Sequence, residues 1–379
     1  MVAKHLYRTF INKKENSIAN LTRFKMFVIE WIEIFRKRSL YKDIRWTREQ
    51  DKIFEETCLN NYGKKISKRW HKLYQSINGV FNPEYLPEII YTTQIEHRLN
   101  PHFRTRIMED KSMIELLISG KCNEKICVPK TLVVASNGIL YNGDRNIISI
   151  DEAEKELKSY ETMVIKPTIG SSSGEGVYII NNRSDMVDSI SDLMSIYGGN
   201  FIIQEKIKPN VELEKIYNNS VNTMRVITYV LDGKVSHCPI ALRIGVNKAK
   251  VDNIHAGGLV VHVKDNGHLD KEAYQLGWGD SAKKYEIHPD SDVRFSDYKL
   301  SFVPEIIESL YLLHGCFPGI GIVSWDVTVD DQDRIVIIEA NLSGQSVWFP
   351  QVVSGRSLFG KDTKKILEKT YKTKKIINI

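Results

Sequence analysis

The sequence is poor in cysteine, and no two cysteines are spaced as C-x-x-C. Cys58, Cys122, Cys127, Cys238 and Cys316 are scattered over 379 residues. An odd, dispersed set argues against a disulfide framework and points to a reducing compartment. Long apolar runs are also missing. The most apolar stretch near the N-terminus, FKMFVIEWIEIF, is interrupted by Lys25, Glu30 and Glu33 and is too short to span a bilayer. The opening MVAKHLYRTFINKKENS lacks the apolar centre of a secretory signal. These absences give the expectation of a cytoplasmic protein. No internal repeat or low-complexity segment appears, which excludes solenoid and fibrous architectures. What is left is an ordinary globular composition, 42% hydrophobic and 26% charged, long enough for about two or three domains.

Charge is present but uneven. Residues 1–70 hold 17 Lys/Arg against 8 Asp/Glu, while the whole chain stands at +6. Basic and aromatic residues interleave there, as in FRKRSLYKDIRW and KKISKRWHKLYQ. Residues 1–108 read as a mainly helical basic region. Trp46, Trp70, Tyr41 and Tyr74 keep a nucleic-acid-binding reading in view; a solvated helix face is the commoner meaning of such a charge run. FKMFVIEWIEIF reads either as a buried core helix or as a helix lying on an anionic membrane face.

The pattern changes near Asp110. DKSMIELLISG reads as a helix closed by Gly120, KTLVVA as a strand, and DEAEKELKSY as an exposed helix. TMVIKP and VYII flank a Gly/Ser loop, and NFIIQEKI is another strand. NTMRVITYVLDGKVSHCPIALRI reads as two long strands turning at Asp232-Gly233. GIVSWDVTV and RIVIIEANL form the last pair. Strands, hairpins and helices mixed in this way predict an α+β protein.

The Gly/Ser loop, GSSSGEGV, lacks the lysine of a Walker A loop and is followed by a strand, so it is not one. The spacing and context of a Rossmann fingerprint fail as well. A hairpin tip remains, carrying Gly170, Ser171, Ser172, Ser173, Gly174 and Gly176. Such a tip offers backbone N–H groups and few obstructing side chains to a phosphate, with Lys166 four residues upstream. A mobile turn is the plain alternative.

In SWDVTVDDQDRIVIIEAN, closure by an even-numbered loop places Asp326 opposite Ile337. Ile337, Glu339 and Asn341 then share a face with Asp326, which lies diagonal to Glu339. Two carboxylates and an amide oxygen suit a Mg²⁺ that arrives with a nucleotide. A polar solvated sheet face is the alternative, but the apolar neighbours of Glu339 make an idle carboxylate costly.

At this point the residues resemble the ATP-grasp superfamily, in particular D-alanine–D-alanine ligases and other carboxylate–amine ligases, over roughly Asp110 to Pro350. Lys111 and Lys166 look like the two ATP lysines, and GSSSGEGV like the phosphate-covering loop. Gln204, Glu205, Lys206 and Ile207 look like the adenine hinge, and Glu212 takes the ribose position. Asp326, Glu339 and Asn341 match the magnesium set, and NLSGQS sits where such ligases bind the acceptor. The finer resemblance is to the sugar-transfer associated ATP-grasp family, through SVNTMRVIT (Asn222, Arg225), VDNIHAGGLVV (Asp252, Asn253, Gly257, Gly258), HPD (His288) and SWDV…IEAN. One departure matters: D-alanine ligases carry an arginine where Ser324 stands here, so the oxyanion-stabilising role moves to Arg225 or Arg243.

The resemblance implies two α+β subdomains clamping ATP, a lid at 109–200 and a catalytic subdomain at 201–379. It implies ATP and one or two Mg²⁺ as cofactors, an acyl phosphate, and amide formation with release of ADP and phosphate. It places Arg225, Arg243, Asn253 and His288 in the catalytic set; His288 or His255 is the candidate base. The implied substrates are a small carboxylate and an amine, with a uronic acid of a glycan, a nucleotide-sugar or a lipid-linked sugar as the carboxylate. A peptide or natural-product amide ligase of the same fold is the alternative. Nucleic acid is not expected, a homo-oligomer is compatible, and the inner membrane face is a candidate location.

Overall fold

A computed structural model of the chain describes residues 20–170, 174–182, 189–254, 257–277 and 282–371. Its first third is helical. The helix of residues 20–36 is followed by Arg48–Tyr62, Arg69–Asn78 and a broken helical run over 88–99. Local rules explain the ends. Thr47 and Gln50 form a reciprocal capping box at the start of Arg48–Tyr62, and Gly63, at φ 67°, closes it in the left-handed region.

Two sheets follow. The strands are β1 (Ile126–Cys127), β2 (Thr131–Ser136), β3 (Ile139–Asn142), β4 (Met163–Pro167), β5 (Tyr178–Ile180), β6 (Phe201–Glu205), β7 (Met224–Leu231), β8 (Lys234–His237), β9 (Ile240–Ile244), β10 (Leu259–Val263), β11 (Leu269–Gln275), β12 (Lys283–Tyr285), β13 (Ile322–Val329) and β14 (Ile335–Asn341). The small sheet runs β3-β2-β6-β4-β5. The large one runs β1-β14-β13-β7-β9-β10-β11-β12, with β8 also on β7. This is the expected α+β architecture, helical region first and sheets after.

Several boundaries differ from the sequence reading. The strand after Asp232-Gly233 is interrupted at Cys238-Pro239, because proline has no N–H for the ladder, so one expected strand becomes β8 and β9. β6 lies inside the small sheet, so that unit extends through Glu205 rather than ending at 200. β1 pairs in parallel with β14, so part of the 109–200 segment belongs to the large sheet.

The small sheet shows why its residues divide as they do. Met163 and Ile165 of β4 enter a core with Leu157 and Leu193 of the two covering helices. The alternate residues Val164 and Lys166 are left for the other face. The large sheet is buried on both faces. One packs Val226, Val323, Trp325, Val327 and Ile337 against the Val303–His314 helix. The other packs Ile227, Tyr229, Ala241 and Ile322 against the N-terminal helices and the Trp348–Ser354 helix. Residues 20–108 therefore share a core with the sheet. Tyr41, Trp70 and Tyr74 are buried in that core and Trp46 is packed against it, so they are not a stacking surface for bases.

The β13–β14 register corrects the expected one. Val329 pairs with Ile335, so the connection holds five residues, and Ile337 faces Val327 in the core instead of Asp326. The register then shifts between Asp326 and Val327, leaving Ile338 as the extra residue of a bulge. Beyond it Glu339 stands directly opposite Asp326, and Asn341 opposite Ser324. Without the bulge, Glu339 would share the core face of Ile337.

Candidate active site

The two sheets face each other across a cleft of about 1200 Å³. The large sheet supplies a single polar rung. Glu339 of β14 pairs with Asp326 of β13, which pairs with Arg225 of β7. Directly opposed residues share a face, so three strands present these charges side by side.

The rung is held by short contacts. Arg225 Nε donates to Asp326 Oδ1 at 2.7 Å and Nη2 to Oδ2 at 3.3 Å, while Nη1 reaches Ser324 Oγ at 3.2 Å. Arg243 of β9 approaches Asp326 Oδ2 at 3.2 Å and donates from Nε to Thr223 Oγ1 at 2.9 Å. The Thr223 N–H and hydroxyl in turn donate to Asp252. Burial would push the Asp326 carboxyl up, but Arg225 and then Arg243 outweigh it and hold it below its ordinary value. On the far side of the rung, Lys111 Nζ stands 2.9 Å from Glu339 Oε1.

The small sheet faces this array with Lys166. Its ammonium is buried, and burial, against the pull of Glu339 and with the push of Lys111, lowers its pKa to about 8. The Lys111 N–H donates to Thr168 O at 2.9 Å, which ties the loop after β4 to the first lysine. Val164, Ile179 and the bulged Ile338 add apolar surface to the cleft, and Gln204, Glu205, Lys206 and Ile207 line one end. Gly170 and Gly174 line it too. Gly174 sits at φ 77°, and a Cβ there would lie 3.6 Å from Asn253 Nδ2, so the tip reaches the large-sheet side.

Some expected residues are elsewhere. Glu212 and Glu214 lie two apart on the Val211–Ile216 helix and therefore point to different sides. The Glu212 carboxylate accepts from Ser301 N and Oγ, both at 2.7 Å, and it is Glu214 that lines the cleft. His288 is buried away from the cleft. Its Nε2 meets Gly245 O at 3.0 Å and its Nδ1 accepts from Asp290 N at 3.2 Å, so both ring nitrogens serve the backbone. Gly176 is not on the lining and takes the Tyr197 hydroxyl on its carbonyl. Ser171, Ser172, Ser173 and His255 fall outside the described residues.

Among the described residues no group of three or more His, Cys, Asp and Glu could hold a metal. The relevant set is two carboxylates and an amide. The Asn341 amide N–H donates to Ser324 O at 3.2 Å, which leaves Oδ1 as its acceptor. Oxygen-only donors fit a hard cation such as Mg²⁺.

Sequence reasoning missed what holds the NLSGQS loop. Three glutamates from the helical region accept its backbone N–H groups. Glu109 takes Leu342 at 3.1 Å and also Ser343, Glu96 takes Gln345 at 2.9 Å, and Glu88 takes Val347 at 3.2 Å. Asn100 bridges Leu342 O and Ile322 O at 2.6 and 2.7 Å. For Glu88 and Glu96 the available signal was a carboxylate inside an apolar run, LPEIIYTTQIEHRL, the same signal that singled out Glu339.

A family model described as sugar-transfer associated ATP-grasp matches residues 91–368. No curated protein matches the chain. Among solved structures it is similar to the VanG D-Ala:D-Ser ligase from Enterococcus faecalis, at 15% identity over 71% of this chain and 62% of that one, TM-score 0.41. It is similar to the ATP-grasp ligase PsnB complexed with minimal precursor, Mg and ADP, at 10% identity over 72% and 62%, TM-score 0.40. It is also similar to a carboxyaminoimidazole ribonucleotide synthase from Aspergillus clavatus complexed with ATP, at 11% identity over 65% and 48%, TM-score 0.38. The chain thus spans about half to three-fifths of these structures, and overlaps this loose assign no residue a role.

Proposed function

Because the chain belongs to the sugar-transfer associated ATP-grasp family, we propose that it is an ATP-dependent carboxylate–amine ligase working through an acyl phosphate. The observation that carries this reading is the Glu339–Asp326–Arg225 rung facing Lys166 across the cleft. A carboxylate oxygen attacks the γ-phosphorus, the bond to the bridging oxygen breaks, and ADP leaves. The amine nitrogen then attacks the acyl carbon, loses a proton, and phosphate departs with the C–O bond pair.

In this reading each group has a physical task. Lys111 and Lys166 meet phosphate charge from two sides. Arg225 reaches Ser324 Oγ, and so brings a guanidinium from the neighbouring strand to the position where D-alanine ligases carry an arginine. Arg225 is thus the oxyanion stabiliser, oriented by its two contacts with Asp326, and Arg243 is the second cation on that carboxylate. Asp326, Glu339 and Asn341 would hold Mg²⁺, which supplies charge neutralisation for the transferring phosphoryl group. Val164, Ile179 and Ile338 fit the apolar faces of adenine. Gly170 and Gly174 on the cleft lining would help to exclude water from the acyl phosphate.

For the substrate, Lys248 and Lys250 line the same cleft and favour an anion, in keeping with a uronic acid of a surface glycan or its precursor. The test crosses uronic acids with amino acids and measures ADP release. Release driven by peptides alone would favour the amide-ligase alternative, and none with any pair would remove the glycan.

A second reading concerns location. The helix of residues 20–36 exposes Leu21, Phe24, Val28, Trp31 and Phe35 at helical spacing, while Glu30 and Ile34 are buried. Lys25, Arg36 and Arg38 are exposed in the same segment. An apolar stripe with basic neighbours suits the surface of an anionic membrane. No helix among the described residues is long and apolar enough to cross one. Co-sedimentation with phosphatidylglycerol vesicles, abolished by Phe24→Ser with Trp31→Ser, is the expected result; equal recovery of the double variant would end this reading.

A further inference from the structure

The helix of residues 20–36 turns charge inward. Glu30, Glu33 and, just past its end, Lys37 line a cavity of about 150 Å³, together with Glu88, Trp70 and Trp348. The cavity adjoins the large cleft, since Lys37, Ser346 and Trp348 line both. Three carboxylates face one ammonium.

Glu33 has two cations beside it, Arg36 at 3.1 Å on Oε1 and Lys37 at 3.8 Å from Oε2, although Oε2 accepts no hydrogen bond among the described residues. Glu88 is 5% exposed, its Oε1 accepts the Val347 N–H, and its Oε2 has no hydrogen-bond partner among the described residues, where no ion pair offsets the deficit. A carboxylate oxygen left unpaired at that depth is costly unless a ligand completes it. Burial and then Glu30 push the Glu88 carboxyl well up, with Glu96 adding to it and Lys37 and the Val347 N–H opposing. Burial also pushes Glu30 up to about 7, against Lys37 and with Glu33. Carboxyls in that state hold protons that an entering cation displaces. The walls suit a cation as well: Lys37 Nζ already stands 5.3 Å from the Trp348 ring centre.

We propose that this cavity is the subsite for the amine substrate, receiving a primary ammonium between Glu88 and Glu30 against Trp348 and passing it into the cleft beside Ser346. The proposal rests on the ligase reading of the cleft. It gives the two substrates separate ends: the carboxylate is drawn to Lys248 and Lys250, and the amine to the glutamates of the helical region.

The test is isothermal titration of the full chain with n-propylammonium and with n-propanol as the uncharged control. Wild type is expected to bind the ammonium and not the alcohol, with proton release seen as a dependence of the heat on buffer. Glu88→Gln keeps an acceptor for the Val347 N–H and is expected to weaken binding about tenfold or more; Glu30→Gln is expected to do the same, and decides the matter should Glu88→Gln fail to fold. Absence of propylammonium binding by wild type, or equal affinity in a folded variant, overturns the proposal. Mg·ATP binding measured on the same samples keeps the two readings apart. Loss of nucleotide binding in wild type would strike the ligase reading and leave the amine result standing.

Discussion

The two walls of the cleft are built on opposite plans. The large-sheet wall is rigid and dense in charge: Glu339, Asp326 and Arg225 stand on three adjacent strands, each bound to a neighbour. The small-sheet wall offers one buried lysine, apolar strand residues and a glycine tip. A rigid charged wall can stabilise developing charge without reorganising, whereas a wall that must admit and then cover a nucleotide needs a backbone free to move. The difference predicts that substitutions on the first wall stop chemistry and those on the second loosen it.

The largest effect belongs to the rung. Glu339→Gln is expected to reduce ADP release at least about a hundredfold with little change in melting temperature. Asp326→Asn is expected to match that loss and to lower the melting temperature as well, because Arg225 and Arg243 are then left adjacent without their counter-charge. Normal ADP release at ordinary Mg²⁺ by either variant would remove the rung from the chemistry.

Lys166→Ala comes next and crosses the comparison, being a charge on the small-sheet wall. It is expected to raise the KM for ATP and lower turnover together. Lys166 loses its proton near pH 8, so kcat/KM for ATP in wild type is expected to fall as pH rises through about 8. A flat profile would show that Lys166 does not meet the phosphates.

Gly174→Val sharpens the contrast on the second wall. Valine cannot adopt φ 77° without strain, and its Cβ would come into contact with Asn253. The tip is exposed, so the fold should lose under about 2 kcal/mol. ADP released without amide formed is expected to rise relative to product. An unchanged ratio at an unchanged rate would make the tip an ordinary turn.

The smallest effect tests the scaffold behind the rigid wall. Burial pushes Glu96 up from 4.5 to about 7, despite N–H groups from Gln345 and Gly344. The native chain therefore holds a proton that the unfolded chain has released across that window, and native stability loses ground as pH rises through it. Glu96→Gln has no such proton, so its melting temperature should gain on that of wild type, by a few degrees, between pH 5 and 8. Melting temperatures of wild type and variant that run parallel between pH 5 and 8 would deny Glu96 this role.

Lys166, the glycine tip, Asp326, Glu339 and Asn341 could be marked from sequence because strand periodicity and an oxygen-rich donor set are local signals. Their register could not. The reading reached the right face for Asp326 and Glu339 through the wrong pairing, since a longer connection and a bulge at Ile338 each shift it by one residue. Glu212 and His288 drew attention as residue types at suggestive positions, yet a helical turn of two residues and a backbone carbonyl took them elsewhere.

The sequence by itself determined β2, β4, β5, β6, β7, β13 and β14, the glycine tip, the α+β class and the residue types of the polar rung, because each depends on spacing within about ten residues. Tertiary structure alone decided that Arg225 stands beside Ser324, that Glu109, Glu96 and Glu88 hold the 342–347 loop, and that Lys37 reaches the cleft. Those contacts join residues 99 to more than 300 positions apart. Their partners are mostly backbone N–H groups, which every residue but proline carries, so no side-chain pattern announces them.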